Sequence, residues 1–460
     1  MTASADRSAP PLARTLGAFA AEFAVDALPP LALERARMSL ASTLASASAG
    51  YAIDSTRIVR GLEIASGGAP DAAVWFDTTR LPADRAARAN AMASDAAASD
   101  DSDLRSIAHI GTIASAVGLA LGERRGASGR DILAAMVLGY EIAGRVDEAL
   151  TPGRMQRGFH GSVATIFGGT VTAGRLLQLD AERMTQAIAL AATSAQGMAI
   201  AADTSWAREY HAGLSALLGI QAALAAHAGF SGEPAVLDAP RGFFAAFNGQ
   251  AVEEVARDLG EDWDIVTDMA IKLMPGAHPF HAIAEAAITA ATEHDVRPEH
   301  VRRIVIRAPQ LATWSKQAVQ PHDLVSAAHS VPYFVAAAIA DRRFDWEHFT
   351  PQKMRDPAIA ALLPRVEFER DPPPLPDRFP HRHGGTVFIE RSDGTTVQAT
   401  CKAPRGSGAR GIDWADVDAK YRRLAPTAGL SASAVEDSLA LLHDFETLDS
   451  PAPLIALLSR

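Results

Sequence analysis

The sequence predicts a mostly α protein in which helical segments from both chain ends enclose a smaller α+β unit. Three observations carry that prediction. The 460 residues are 48% hydrophobic and 21% charged, with abundant alanine, a composition that suits globular folds and leans toward helix. Apolar residues recur at helical spacing up to about residue 269, and helix returns from Trp414. Between 270 and 404 the texture shifts to strand-like alternation with a hairpin signal. The expected division is 1–269, 270–404 and 405–460.

In order, Ala13 to Phe23 and Leu31 to Ser48 read as helices separated by Pro29-Pro30, and helix resumes over Ala83 to Ala98. Ser99-Asp100-Asp101-Ser102-Asp103-Leu104-Arg105-Ser106-Ile107-Ala108-His109 then interrupts the pattern with three aspartates, an arginine and a histidine. An acidic cap in a solvated loop would account for it. The apolar, small-residue runs on both sides instead place the acids inside the protein. Ser128-Gly129-Arg130-Asp131 reads as a capping box for a helix carrying Ile132, Met136, Val137 and Tyr140. Gly158-Phe159-His160-Gly161-Ser162 breaks the pattern before Val163 to Leu177, and Asp180 to Ala195 is helical. Polar groups gather again from Asp203 to Gly213, just before a helix over Leu214 to Ala228.

Past 270, Arg302 to Ala308 and Arg365 to Glu369 read as strands, Pro332 to Ala340 as helix, and Pro372-Pro373-Pro374 as a loop. Thr386 to Arg391 and Thr395 to Thr400 flank Ser392-Asp393-Gly394, a hairpin signal. Ser433-Ala434-Val435-Glu436 reads as a second capping box.

Several function classes drop out. A net charge of -11 with no basic block excludes a nucleic-acid binder, so an anionic substrate would need a local cationic pocket. A single cysteine, Cys401, excludes an intrachain disulfide and cysteine-rich metal sites. No apolar run reaches membrane-span length and Met1 to Pro11 has no apolar core, so a cytoplasmic protein is expected. Histidine and aspartate do not fall at a metal-ligand spacing, and no metal is expected.

The chemical centre is Ile271-Lys272-Leu273-Met274-Pro275-Gly276-Ala277-His278-Pro279-Phe280-His281. Two prolines break helix there, a helical pattern resumes at His281, and one lysine and two histidines fall in ten residues. A surface turn could have this composition; a loop launching a helix with cations at its start is also ground for holding an anion or moving a proton.

Taken together, Asn90 to His109, Gly158-Phe159-His160, Tyr210-His211-Ala212-Gly213 with Ala228-Gly229-Phe230, Ile271 to His281, His329-Ser330-Val331-Pro332-Tyr333 and Pro404-Arg405-Gly406 resemble the MmgE/PrpD superfamily. That superfamily includes 2-methylcitrate dehydratase, cis-aconitate decarboxylase and iminodisuccinate epimerase. The resemblance implies a large all-helical domain from both chain ends plus a small inserted α+β lid domain. It also implies an active site between them, a homodimer, and no metal or organic cofactor. Lys272, His160, His109 and Tyr333 fall where the family places active-site side chains. Two positions depart: the family's Asp-x-Asp-Asp run reads Ala98-Ser99-Asp100-Asp101, and its lysine before His-Ala-Gly is Arg208.

On this reading Lys272 is the acid or base at a carbon next to a carboxylate, with His109, His160 or Tyr333 opposite. Arg208 anchors a carboxylate and cannot exchange a proton. Asp100 and Asp101 fix the cations or cap a helix, and His278 and His281 line the substrate pocket or merely cap the helix. The missing acid and the arginine favour an epimerase acting on a small dicarboxylate such as iminodisuccinate. The alternatives are a 2-methylcitrate-type dehydratase, a cis-aconitate-type decarboxylase, or a catalytically dead carboxylate-binding relative.

Overall fold

The computed structural model describes residues 10–105, 107–249, 252–308, 320–370 and 383–459. Besides a 13-residue helix over Asp54–Ser66, eight other long helices build the first part: α1 Leu12–Glu22, α2 Pro30–Gly50, α3 Ala83–Ala96, α4 Ile110–Arg125, α5 Gly129–Leu150, α6 Ser162–Leu176, α7 Ala181–Thr193 and α8 Ala207–His227. The short strands β1 Asp101–Asp103 and β2 Met269–Ile271 pair antiparallel. Then come α9 His281–Glu293, β3 Val301–Arg307, α10 Val331–Asp341, β4 Val366–Phe368, β5 Gly385–Arg391 and β6 Thr396–Cys401. The chain closes with α11 Trp414–Leu424, α12 Ala432–His443 and α13 Ala452–Leu458. The fold is mostly α with a small α+β part.

α2 is the hub of the helical part. It starts on Pro30, whose missing N–H is harmless in a first turn, and alanine and serine fill ten of its 21 positions. Such small side chains let neighbours approach on all sides, and α3, α4, α5 and α11 pack on it. At its C-terminal end a Cβ on Gly50 would lie 1.8 Å from the Ala93 carbonyl oxygen of α3. Gly50→Ala is therefore expected to cost about 1–3 kcal/mol through forced separation of α2 and α3. An unchanged melting temperature would contradict so close a crossing.

Two apolar clusters result. The first joins Leu40, Leu44, Val137 and Phe167 to Tyr421, Leu439 and Leu454 from the far end of the chain. The second contains Phe280, Ile283, Ile304, Phe334, Ile339 and Val387. Its sheet runs β4-β3-β5-β6, parallel between β3 and β4 and antiparallel elsewhere. Alternate residues of β3, Ile304 and Ile306, face this cluster, where α9 covers β5 and β6 and α10 packs on α9. Among the described residues no helix is long and apolar enough to cross a membrane.

Some local expectations change. The last long helix is capped by Ser431, which accepts from the Ala434 N–H, so Ser433 opens no capping box. Ser128 does cap α5, accepting from the Asp131 N–H, but the Asp131 carboxylate meets the Ser128 hydroxyl at 2.7 Å rather than the backbone. The polar residues Arg208 to Gly213 lie inside α8, which begins at Ala207, because burial of their helical face overrides their polarity. Pro372-Pro373-Pro374 falls outside the described residues.

Candidate active site

The pairing of β1 with β2 builds the site. Asp101 lies opposite Ile271 and Ser102 opposite Ala270, so the next position in register sets Asp100 beside Lys272. The Lys272 N–H donates to the Asp100 carbonyl at 3.2 Å, and its Nζ donates to Asp100 Oδ1 at 2.7 Å. Neither side chain is more than 2% exposed. On the other oxygen, Asp100 Oδ2 receives His109 Nδ1 at 2.5 Å and the Thr112 hydroxyl at 3.0 Å. One carboxylate thus orients both candidate proton-transfer groups. With Nδ1 donating to Asp100, His109 leaves Nε2 as the ring nitrogen that can exchange a proton, donating it when charged and accepting one when neutral. Burial pushes the Asp100 carboxyl up, but the charges and hydrogen bonds of His109 and Lys272 outweigh it and hold it well below the usual range.

The loop around these acids is strained at both ends. Ala98 and Ile107 adopt φ of 52° and 66°, a region non-glycine residues occupy rarely and most often at functional sites. Across from it, Gly276 has φ of 98° and donates to the Ala98 carbonyl at 2.8 Å. A Cβ there would lie 2.4 Å from the Phe334 ring, so only glycine fits.

A cavity of about 260 Å³ opens over this cluster, lined by Lys272, His109, His160, His278, His329, Arg154, Arg208 and Asp203, with Ile107, Met155 and Phe159 among its apolar wall. His160 Nδ1 accepts from the Ser162 N–H at 3.3 Å, which leaves the ring proton on Nε2. Burial, then His109 and Arg154, lowers His160 well below the usual imidazole range. Burial, then His281 and Lys272, does the same to His278, whose two ring nitrogens have no hydrogen-bond partner among the described residues. His329 donates Nδ1–H to the Val325 carbonyl at 2.9 Å, and burial and Arg208 bring it to about 4. The pocket thus combines neutral imidazoles with lysine and arginine cations, the local cationic ground a polycarboxylate needs in a chain of net charge -11. A larger cavity of about 410 Å³ elsewhere has no histidine or lysine, and its Arg175 is committed to the Ala21 and Phe23 carbonyls.

The expected residues separate. Lys272, His109, His160, Arg208 and His278 reach the cavity. Asp100 lies directly behind Lys272 and His109. Asp101 takes the capping role: its two oxygens accept the Gly111 and Thr112 N–H groups at the start of α4, and burial with the Asp100 charge raises it to about 6. His281 is buried at the start of α9 outside the cavity lining. Tyr333 does not line the cavity; it is buried in the second apolar cluster, and its hydroxyl donates to the His348 carbonyl. The residue that does reach the cavity lies four positions earlier, at His329, because Tyr333 belongs to the inward face of α10 whereas His329 precedes that helix.

Arg208 is already engaged. Its Nε donates to Asp95 Oδ1 at 2.8 Å, and Nη2 donates to the Asp95 and Ala96 carbonyls at 2.8 and 3.2 Å, the last carbonyls of α3. It therefore caps α3 as well as bordering the cavity. Asp95 was not legible as a site residue, because it reads as one more position of an alanine-rich helix. Its second oxygen lies 3.4 Å from His109 Nδ1, so a third acid does join the cluster. Asp95, Asp100 and His109 bring ligand-type atoms within 4.8 Å of one another, a metal-like grouping. Arg208 and Lys272 already sit on those carboxylates and match their charge, which leaves the grouping a poor cradle for a divalent ion.

Comparison with known proteins identifies the family. Residues 14–255 match the MmgE/PrpD N-terminal domain and residues 274–442 the MmgE/PrpD C-terminal domain. The human cis-aconitate decarboxylase is 27% identical over 340 residues, covering 72% of this chain and 69% of that protein. The cis-aconitate decarboxylase-like protein oryM of Aspergillus oryzae is 26% identical over 361 residues, covering 72% of each chain. Cis-aconitate decarboxylase of Aspergillus terreus is 25% identical over 360 residues, covering 72% of this chain and 71% of that protein. With both family domains matched in order along the chain, this protein is an enzyme of the MmgE/PrpD family.

Proposed function

We propose that this enzyme is a cofactor-independent lyase that holds a small di- or tricarboxylate and delivers a proton to carbon, with cis-aconitate-like acids as the first substrates to try. The observation that carries the reading is Asp100, which orients a buried lysine and a histidine together at one cavity wall. When an unsaturated tricarboxylate loses carbon dioxide, the electron pair of the broken C–C bond stays on the substrate. Lys272 Nζ–H supplies the proton that takes up that pair, and the amine is then reprotonated through His109 or from water. Arg154 and Arg208 add positive field for the remaining carboxylates, and the Ile107, Met155 and Phe159 wall favours the desolvation that decarboxylation needs.

The names of the relatives support this class over the epimerase favoured from sequence. One of the two reasons for the epimerase also weakens, since Asp95 brings another carboxylate to the cluster. Epimerisation of a dicarboxylate stays as a second reading because Arg208 stands where a proton-exchanging lysine is expected.

Proton NMR in deuterated water with cis-aconitate, 2-methylcitrate and iminodisuccinate tests the proposal. Loss of carbon dioxide with one deuterium retained is the expected result. Exchange without net change would support the epimerase, and dehydration of 2-methylcitrate the dehydratase. Turnover of none of the three would overturn the reading. Activity is also expected to survive exhaustive dialysis against EDTA; loss that a divalent ion restores would contradict a cofactor-free mechanism.

The same reading takes residues 270–404 as a lid domain over a helical domain built from 1–269 and 405–460, supported by the two apolar clusters. A homodimer is part of the proposal. Its support is the exposed Ile58, Leu62, Trp206 and Tyr210, on segments joined by the 2.6 Å bond from Ser55 to Glu209.

A further inference from the structure

The chain has only five lysines, Lys272, Lys316, Lys353, Lys402 and Lys420, among 43 basic Lys and Arg residues. Two of the five, Lys272 and Lys420, are buried to 2% exposure around the same acidic loop. Lys420 comes from α11, and nothing in its surroundings suggested a site role. It lines no part of the cavity and makes no ion pair within 4 Å with a described carboxylate. Its ammonium donates to the Ser42 hydroxyl of α2 at 2.7 Å and to the Ser99 carbonyl, the peptide that leads into Asp100. The Ser99 hydroxyl in turn receives the Trp346 indole N–H from the α+β part. Ser99 is thus held by α2 and α11 through Lys420 and by residues 270–404 through Trp346, one residue from the carboxylate that orients Lys272 and His109.

We propose that Lys420 is a positioning residue for the site: it clamps the Ser99 peptide and supplies a second buried positive charge facing Asp100, Asp101, Lys272 and His281 from outside the cavity. A full charge at such depth is costly without partners, and Lys420 has only neutral ones in direct contact. Burial accordingly lowers it to about 7, with Asp100 and Asp101 drawing it back up and Lys272 pushing it further down. Lys420 also contributes to the low position of His281, so its field reaches the start of α9. An arginine at 420 could hold the carbonyl but could not release its proton. In a chain that otherwise uses arginine for most of its positive charge, lysine at these two buried positions is the choice that allows both sites to exchange protons.

The test uses the full-length protein and Lys420→Gln, which keeps a donor for the Ser99 carbonyl and removes the charge. Lysine labelled at ¹³Cε gives one resonance per lysine, few enough to follow individually, and needs no substrate. At pH 6, below the value of about 7 to which burial lowers Lys420, loss of that charge is expected to move the Lys272 ¹³Cε resonance. In kinetics, kcat is expected to fall about tenfold with KM changed less than about threefold. Only this kinetic arm rests on the reaction proposed above; if the wild type turns over none of the acids, that reading fails while the NMR arm still decides the role of Lys420. An unmoved Lys272 resonance in folded Lys420→Gln would overturn the proposal. Lys420→Arg, which keeps the charge, is expected to leave the Lys272 resonance in place; a shift as large as that of Lys420→Gln would also overturn it. So would failure of both variants to fold, which would assign Lys420 to folding alone.

Discussion

Lys272→Met is expected to lower turnover by at least about a hundredfold, the usual scale for a general acid or base, and to destabilise the protein as well. The second effect follows from burial. Lys272 Nζ and Asp100 Oδ1 form a 2.7 Å pair with almost no exposure, and removing one partner of such a pair costs about 3–5 kcal/mol because the other charge is left stranded. The sign of its pH dependence can be worked out. Lys272 is one of the two groups that hold the Asp100 carboxyl low, so its loss raises that carboxyl in the folded state. A carboxyl held low by folding contributes stability that is present above the ordinary carboxylate range and is lost as pH falls toward its folded value. The deficit of the variant should therefore be larger at pH 6 than at pH 3. Thermal melts at the two pH values, with turnover measured in parallel, check both parts. Adding Asp100→Asn should recover much of the stability and none of the activity, which separates folding from chemistry. A folded Lys272→Met with near-normal turnover would remove the lysine from the mechanism.

Arg208→Ala is the second large effect, a loss of about 3–5 kcal/mol from a stranded Asp95 and two uncapped carbonyls of α3. Read from sequence alone, this arginine is a substrate anchor, and its replacement is a binding defect with no new pH dependence. The contacts alter that expectation. Arg208→Lys keeps a charge for Asp95 but cannot span the carboxylate and both carbonyls, so about 1–3 kcal/mol should be lost even without substrate. Freed Asp95 can then draw on His109, 3.4 Å away, and a change in the pH profile of kcat should accompany the stability loss. Denaturant titration without ligand is the decisive measurement. Unaltered stability in Arg208→Lys, with only KM raised, would restore the simple anchor.

Much of the site was legible because its residues carry chemistry in unusual places. Lys272 stands just before two helix-breaking prolines and His278 between them, and His109 and His160 close breaks in helical periodicity. Arg154, Asp95 and Lys420 gave no such signal, since each lies in an ordinary helical or turn context and owes its role to what packs against it. Tyr333 is the reverse case: a polar tip on an aromatic ring reads as functional, and in the fold its hydroxyl meets a backbone carbonyl within an apolar core.

The sequence by itself determined the helical class, the hairpin of β5 and β6 and the stretch where the chemistry lies. These depend on periodicity, propensity and turn residues within a few positions of one another. Only the tertiary structure decided that Asp100 meets Lys272 across 172 residues, that Arg208 belongs to Asp95, and that the far C-terminal helix reaches Ser99. Such meetings are set by the register of two three-residue strands and by small-residue helix crossings. Neither leaves a periodic trace in the chain, because a three-residue strand is too short for alternation and alanine is the same on every face.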